Sequence, residues 1–225
     1  MKNTFIITIF MSFSASLLLA ETTVNSCNRT VTFENPPERA ISNDVNLTEM
    51  MLVLGLADRM VGYTGISGWK TLDAEMRSGV KELPELSAKY PTKEVLVGAD
   101  ADFFFAGWNY GMKVGGEVTP ETLAPFGIKV YELTESCSHI MDKDKAGLKD
   151  MYADILNLGT IFGVEARAEA LVEGYKSELK NFKASLTSIE EASVYLYMTV
   201  AKTLLLQLGA MPCLRPLLKP LVAVI

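Results

Sequence analysis

The sequence has few of the residues that build metal centres and nucleophilic active sites. His139 is the only histidine among 225 residues, and there are three cysteines. A zinc or manganese site needs several histidines and carboxylates that converge on one point. A serine hydrolase needs a base beside its nucleophile, usually on a G-x-S-x-G turn, and no such segment occurs. We therefore expect no bound metal ion, no cofactor and no enzymatic activity.

The sequence also lacks a concentration of basic residues. Lys and Arg together number 21 against 27 Asp and Glu, which gives a net charge of −6. Binding to nucleic acid requires a basic surface that neutralises phosphates. Nucleic acid is therefore not expected as a partner. The apolar content of 49% is sufficient for a packed core.

An apolar segment opens the chain. Lys2 precedes an apolar run over residues 5–19, and Ala20 stands before Glu21. This order of charge, apolar run and small residue is typical of a secretory signal. A retained membrane anchor is the alternative, but a span needs about 20 apolar residues. We predict a cleavable signal peptide over residues 1–20. No cysteine follows closely, so a lipid-anchored terminus is not expected.

Export makes disulfide formation possible. Cys27 lies near the predicted mature N-terminus, and Cys137 follows a predicted strand. A disulfide between them can form in an oxidising compartment, and it would fix a terminus that otherwise frays. The alternative is two unrelated buried thiols. We predict the Cys27–Cys137 disulfide and leave Cys213 unpaired.

Strand-like and helix-like segments alternate over the first two thirds of the chain. Such alternation with short loops indicates a parallel α/β sheet. Strands are predicted at 31–33, 39–42, 60–63, 102–106 and 128–133. Helical periodicity then continues from 145 to about 186, interrupted at 159–163. A further strand begins at 193–197. The predicted domains are an α/β lobe over 21–143, a helical segment with a connector helix over 144–190, and over 191–225 the start of a second lobe followed by an aberrant tail.

Several short motifs follow one another in a characteristic order. They are PPER at 36–39, NLTE at 46–49, LGL at 54–56, VGY at 61–63, the strand at 100–105, the segment at 123–130, and LNLG at 156–159 followed by Phe162-Gly163. Their order and spacing resemble those of the periplasmic iron-siderophore and cobalamin binding proteins of ABC importers. The resemblance covers about residues 27 to 197.

The resemblance implies a fold and a function. Proteins of this family have two α/β lobes joined by a long rigid helix, and they hold the ligand in the cleft between the lobes. The expected ligand is an iron(III)–siderophore or corrin chelate, and the expected partner is an inner-membrane ABC permease. The protein is expected to act as a periplasmic monomer. A secreted interaction domain without a small ligand and a secreted hydrolase are the alternatives.

Aromatic and polar residues in loops at strand ends are the candidate ligand contacts, because a cleft for large flat chelates needs such groups. They are Trp69, Trp108, Tyr110, Asn43, Lys89 and Tyr90. Each has a structural alternative: the aromatic residues can close the edge of the core, Asn43 can help cap a helix, and Lys89-Tyr90 can be a solvated loop. Glu82 and Glu85 lie where the family carries an acidic docking residue for the permease. An ordinary exposed carboxylate is the alternative there.

The C-terminal segment differs from the rest of the chain. Glu191 is the last acidic residue, and residues 204–225 are rich in Leu, Pro and Val without a helical or strand period. A hydrophobic anchor is one interpretation, but prolines interrupt the run. In another reading frame, with degenerate bases chosen freely, residues 198–225 can encode a peptide that resembles the family sequence after this strand. We therefore predict a frameshift near Tyr197 that removes the second lobe and impairs binding.

Overall fold

The computed structural model describes residues 21–69 and 72–185. The chain divides into two units, Met1–Leu179 and Lys180–Ile225, and the features below belong to the first, except for the end of the last helix. The predicted signal peptide, the strand at 193–197, Cys213 and the tail lie outside the described residues. The domain boundaries and the frameshift therefore stay predictions.

Strands and short helices alternate from residue 22 to residue 132, and two longer helices follow. The strands are β1 (Thr22–Ser26), β2 (Arg29–Phe33), β3 (Ala40–Asn43), β4 (Met60–Thr64), β5 (Glu85–Ser87), β6 (Phe103–Trp108), β7 (Gly111–Met112) and β8 (Lys129–Glu132). The α-helices are α1 (Val45–Val53), α2 (Ala74–Gly79), α3 (Lys93–Gly98), α4 (Pro120–Leu123), α5 (Leu148–Phe162) and α6 (Glu165–Ser185). The described ranges also contain 3₁₀ segments at Ala57–Arg59, Ala124–Phe126 and Thr134–His139.

A parallel sheet is the centre of the fold. Strand β3 lies between β4 and β6, and β5 pairs with the far side of β4. Strand β6 pairs with β8 over Phe103 to Ala106 and with β7 over its last two residues, again in parallel. Strands β1 and β2 form a separate antiparallel hairpin. The predicted class, an α/β fold with a parallel sheet followed by long helices, is confirmed.

Strand β6 shows why the sheet is buried on both faces. All six of its residues are buried, as a continuous apolar run in a central parallel strand should be. Phe103 and Phe105 belong to the core cluster that contains α5, whereas Phe104 belongs to the cluster on the opposite face. The alternation of side chains along the strand therefore assigns neighbouring phenylalanines to two layers of core.

The helical segment has one break, and it lies at Gly163. Helix α5 runs through Gly159 and ends at Gly163, whose φ of 68° places it in the left-handed region favoured at helix C-termini. A Cβ on Gly159 would lie 2.4 Å from Ala168 Cβ of α6, so this glycine allows the two helices to approach closely. The predicted interruption over 159–163 was therefore too broad, because Gly159 serves helix packing. No helix in the described ranges is long and apolar enough to cross a membrane.

The N-terminal hairpin is attached to the sheet by a disulfide. Cys27, in the turn between β1 and β2, is bonded to Cys137 of the 3₁₀ segment with an Sγ–Sγ distance of 2.02 Å. These are the two cysteines that the sequence analysis pairs. Strand β1 was missed from sequence, because residues 22–26 have no apolar alternation long enough to be recognised.

Candidate ligand-binding site

The carboxyl ends of β3, β4, β5, β6 and β8 meet at one edge of the sheet, since these strands are parallel. Open parallel sheets bind ligands outside this edge. Three loops at this edge carry most of the candidate residues. They are residues 65–69 after β4, residues 88–90 after β5, and residues 108–111 at the end of β6, which we call the β6 loop.

Trp69, Lys89 and Tyr90 form an exposed aromatic and cationic group at this edge, which we call the Trp69 cluster. The rings of Trp69 and Tyr90 are 6.0 Å apart, and Lys89 Nζ lies 5.3 Å from the centre of the Trp69 ring. Trp69 is 58% exposed and Tyr90 39% exposed. The structure therefore brings together three of the six predicted contact residues and leaves them accessible to a ligand.

Hydrogen bonds from the backbone of the first loop hold it against β5 and the loop that follows β5. Gly68 N–H donates to Ala88 O over 2.8 Å, and a Cβ on Gly68 would lie only 2.4 Å from that oxygen. Glu85 Oε1 accepts hydrogen bonds from the backbone N–H groups of Ile66 (3.1 Å) and Ser67 (2.7 Å). Glu85 therefore fixes the loop that carries Trp69, which is a different task from the predicted permease docking. Glu82 is exposed and contacts Lys81.

The β6 loop supports Tyr90 from the other side. Tyr90 Oη donates to the backbone oxygen of Asn109 over 2.9 Å, and Asn109 has a positive φ of 66°. Burial raises the pKa of Tyr90, and the nearby Asp44 and Tyr110 raise it further. Tyr110 is half-buried and packs against the core. It is therefore close to the Trp69 cluster and offers less surface than Trp69.

Asn43 and Asp44 lie beneath these loops. Asp44 Oδ1 accepts the backbone N–H of Val45 over 2.7 Å and caps α1. Asn43 is fully buried, and its Oδ1 accepts the Thr64 hydroxyl over 2.9 Å. Among the described residues, Asn43 Nδ2 has no hydrogen-bond partner. The predicted ligand contact by Asn43 is therefore blocked in this structure, because the overlying loop covers the side chain.

Glycines 65 and 111 explain how the loops can cover Asn43. Both have positive φ values, of 77° and 101°, and a Cβ on either would lie 2.7 Å from an Asn43 side-chain atom. Any larger residue at these positions would have to displace Asn43.

Trp108 is also at this edge, but its side chain is buried in the core and is not accessible. It is 6% exposed, and its indole Nε1–H donates to Glu132 Oε1 over 2.8 Å. The predicted cleft contact is corrected for this residue, because a buried acceptor on β8 draws the indole inward. Glu132 itself is fully buried and also accepts from Ser26 Oγ (2.8 Å) and Arg29.

A concavity of about 470 Å³ is lined in part by Tyr90. Its walls include Thr92 of the α3 start and Lys113 after β7. The remaining lining residues are Pro91, Asn109, Gly111, Met112, Gly116, Glu117 and Val118. Across the described part of the chain, no group of three or more His, Cys, Asp or Glu side chains is arranged to hold a metal ion. The exposed rings and the ammonium group at this edge can contact flat and polar portions of a ligand.

Sequence reasoning missed two residues that shape this edge, Asn109 and Ser136. Ser136 Oγ accepts the backbone N–H of Trp108 over 2.9 Å, and Asn109 Nδ2 lies 3.3 Å from a ring nitrogen of His139. The sequence Asn-Tyr-Gly at 109–111 carries a weak turn signal, since Asn and Gly tolerate positive φ. Ser136 carries no sequence signal, because its role depends on tertiary contact.

Comparison with known proteins finds a relative among ABC transporter substrate-binding proteins. No protein-family model matches the chain. An uncharacterized ABC transporter substrate-binding lipoprotein of Bacillus subtilis is 25% identical over 175 residues, which cover 76% of this chain and 50% of that protein. The chain therefore spans about half the length of this curated relative.

Solved structures share the fold. A periplasmic binding protein from Veillonella parvula matches with a TM-score of 0.66 and 22% identity, over 81% of this chain and 60% of that one. An ABC-type Fe³⁺-hydroxamate transport protein from Saccharomonospora viridis matches with a TM-score of 0.60 and 25% identity, over 76% and 57%. In sequence and in fold the chain is therefore similar to substrate-binding proteins of ABC transporters, the family that its sequence motifs resemble.

Proposed function

We propose that this protein is the exported, periplasmic substrate-binding component of an ABC importer. It captures an iron(III)–siderophore or corrin chelate as a monomer and delivers it to an inner-membrane permease. The observation that carries the proposal is the exposed Trp69 cluster at the carboxyl edge of the parallel sheet. The relatives named as substrate-binding and Fe³⁺-hydroxamate transport proteins support it.

The Trp69 cluster supplies two kinds of interaction that such a ligand needs. The faces of Trp69 and Tyr90 can stack on flat ligand groups, and each buried aromatic contributes large contact area. The Lys89 ammonium lies at the same place and can pair with an anionic chelate, as a lysine does with phosphate or carboxylate. Binding of this kind requires no bond to form or break, so no catalytic group is invoked.

Equilibrium dialysis of the full chain tests the proposal. The probes are an iron(III) tris-catecholate, an iron(III) tris-hydroxamate and cyanocobalamin, each measured separately. Saturable binding of at least one is expected. Trp69→Ala should weaken it about ten- to hundredfold, the loss expected for one buried aromatic side chain. Lys89→Ala should weaken it about three- to tenfold, because an exposed ammonium contributes less.

Lys176→Ala is the matched control. Lys176 Nζ lies 5.9 Å from the Tyr152 ring, so it is also a lysine over an aromatic ring, but it is on α6 away from the loops of the site. This variant should leave the affinity unchanged. Failure of all three probes to bind would remove the proposed function in favour of an interaction domain. Equal losses in the Lys89 and Lys176 variants would show that the Trp69 cluster is not the site.

A further inference from the structure

We infer that the Cys27–Cys137 disulfide and Ser136 position the ligand site, by holding the 3₁₀ segment Thr134–His139 against the β6 loop. This role goes beyond the proposed function and rests on it only for the predicted change in ligand affinity. Its structural part concerns the conformation of the β6 loop and can be tested without any ligand.

The first contact is made by Ser136. Its side chain is buried, its Oγ accepts the backbone N–H of Trp108 over 2.9 Å, and it donates to Leu133 O over 2.7 Å. A Cβ on Gly107 would lie 2.9 Å from Ser136 Oγ. The serine is therefore in tight contact with the end of β6, and its hydroxyl is used as both donor and acceptor.

The second contact is made at the end of the segment. A ring nitrogen of His139 lies 3.3 Å from Asn109 Nδ2, and the backbone oxygen of Asn109 accepts the Tyr90 hydroxyl over 2.9 Å. Asn109 also has a positive φ, which asparagine tolerates more readily than most other non-glycine residues. A continuous set of contacts therefore leads from the 3₁₀ segment through the β6 loop to Tyr90 of the Trp69 cluster.

The 3₁₀ segment needs an anchor of its own. Such helices have poor hydrogen-bond geometry and are rarely stable at six residues. Cys137 lies directly after Ser136 and is bonded to Cys27 in the hairpin turn. The hairpin is in turn fixed by Arg29, whose Nη2 lies 2.7 Å from Glu132 Oε2 on β8. The disulfide therefore connects the positioning segment to a hairpin that Arg29 already holds against β8.

Breaking the disulfide should release the segment without dissolving the sheet. The three pairings that join β3, β4, β6 and β8 involve neither cysteine. The β6 loop should then lose its contacts with Ser136 and His139. Tyr90 should in turn lose the hydrogen bond from its hydroxyl to the Asn109 backbone oxygen. The Trp69 to Lys89 contact lies on other loops and should persist.

Amide hydrogen exchange of the full chain tests this inference directly. A Cys213→Ser background excludes exchange with the third thiol. Dithiothreitol reduces the bond by delivering two electrons and two protons, which leaves two thiols and oxidised dithiothreitol. The backbone N–H groups of residues 107–110 are all hydrogen-bonded in the structure. Their exchange should become at least tenfold faster on reduction and return on reoxidation, whereas β3 should be unaffected.

Two variants separate positioning from general destabilisation. Val172→Ala removes buried volume on α6, outside the β6 loop and the 3₁₀ segment. Its exchange should be measured at a denaturant concentration at which its stability equals that of the reduced protein. It should not accelerate residues 107–110 selectively. Ser136→Ala leaves the disulfide intact and should reproduce the selective acceleration on a smaller scale. If the reduced protein does not stay folded, exchange in the Ser136→Ala variant still tests the inference.

Chelate binding is the second readout. An iron(III) tris-catecholate or tris-hydroxamate that binds the oxidised protein should bind the reduced protein about tenfold more weakly, while the Val172→Ala protein should match wild type. Unchanged exchange at residues 107–110 on reduction, or exchange that rises equally everywhere, would overturn the inference. Absence of chelate binding in the oxidised protein would instead count against the proposed function, and the exchange result would still decide the inference.

Discussion

The two tryptophans of the chain lie at the same edge of the sheet in opposite environments. Trp69 follows β4 in a loop and is exposed beside Lys89, whereas Trp108 ends β6 and is buried beside Glu132. Both occur in glycine-containing segments, GISGW and AGWNYG. The difference comes from the neighbouring strand: β8 supplies a buried carboxylate at the right height for an indole N–H, and the strands beside Trp69 supply none within the described residues.

The comparison also separates two kinds of polar group. On the β6–β8 side, Glu132 accepts from Ser26, Arg29 and Trp108, so its buried charge is fully used inside the protein. On the β4–β5 side, the Lys89 ammonium remains exposed. Buried charges must be paired to be tolerated, so the β6–β8 side is built for stability. The exposed side remains available for a ligand.

Replacing each tryptophan by alanine should give the largest contrast. Trp108→Ala removes a buried aromatic ring and the donor to Glu132, and it should cost about 3–5 kcal/mol of unfolding free energy. Trp69→Ala should change the unfolding free energy by no more than about 0.5 kcal/mol, as exposed substitutions do. Guanidinium unfolding followed by far-UV circular dichroism measures both without relying on tryptophan fluorescence.

Trp108→Phe is the matched variant. It keeps most of the ring volume but removes the N–H that reaches Glu132 Oε1, so a loss of about 1–3 kcal/mol is expected from the unpaired acceptor. A cost for Trp69→Ala as large as that for Trp108→Ala would mean that the exposed cluster is a structural part of the fold, and the contrast between the two sides would fail.

Two aspartates on α5 extend the comparison of polar groups, because their carboxyl groups should change the stability with pH in opposite directions. Burial raises the pKa of Asp154 to about 7, although the hydroxyls of Thr134 and Tyr131 and the Thr134 N–H donate to it. The unfolded chain has an ordinary carboxyl pKa near 3.9. Between these values the folded protein binds more protons than the unfolded chain, so stability should fall as pH rises from about 4 to about 7.

Asp154→Asn tests this sign. The variant cannot lose a proton, so relative to wild type it should gain stability across that window, by an amount on the order of a few kcal/mol. Urea unfolding at four pH values between 4.5 and 7.5 measures the difference. A difference that does not change with pH would show that Asp154 is ionised throughout in the folded protein.

Asp150, one turn earlier on α5, provides the opposite case. Burial alone would raise its pKa, but hydrogen bonds from Lys143 and the Gly147 N–H and the charges of Lys143 and Lys149 outweigh burial and lower it. Its stabilisation should therefore be present at neutral pH and be lost as the pH falls through the acidic range. Asp150→Asn should flatten the acid side of the profile and also lessen the slope between pH 5 and 7 slightly, because the Asp150 charge contributes to the raised pKa of Asp154.

Sequence patterns predicted the sheet well and the site only in part. Strands β3, β4, β6 and β8 were predicted within about two residues, because apolar runs bounded by turn residues mark them clearly. Strand β5 was missed because its three residues, Glu-Leu-Ser, have no strand signal. Trp69, Lys89 and Tyr90 were proposed from loop position and residue type, and the structure brings them together.

The remaining site residues could not be separated by sequence. Trp108 was proposed on the same pattern as Trp69, and only the position of Glu132 across the sheet distinguishes them. Asn43 was proposed because it ends a strand, but Gly65 and Gly111, which cover it, are distant in sequence. Contacts of this kind depend on which strands are neighbours, and local composition carries no information about that.

The smallest expected effect distinguishes two glutamates near β5. Glu85 accepts two backbone N–H groups of the loop that carries Trp69, whereas the Glu82 carboxylate is exposed. Glu85→Ala should lower the unfolding free energy by only about 1 kcal/mol, since the carboxylate is partly hydrated. It should nevertheless weaken chelate binding severalfold, because Trp69 would no longer be held in place.

Glu82→Ala should change neither stability nor chelate affinity. If Glu82 is the residue that docks on the permease, as the family resemblance predicts, this variant should lower iron uptake in cells while equilibrium dialysis of the isolated protein stays normal. Glu85→Ala should instead lower uptake and isolated affinity together. Reduced uptake with normal affinity in the Glu85 variant would return Glu85 to the docking surface, because a carboxylate needed to hold Trp69 cannot be removed without weakening the ligand site.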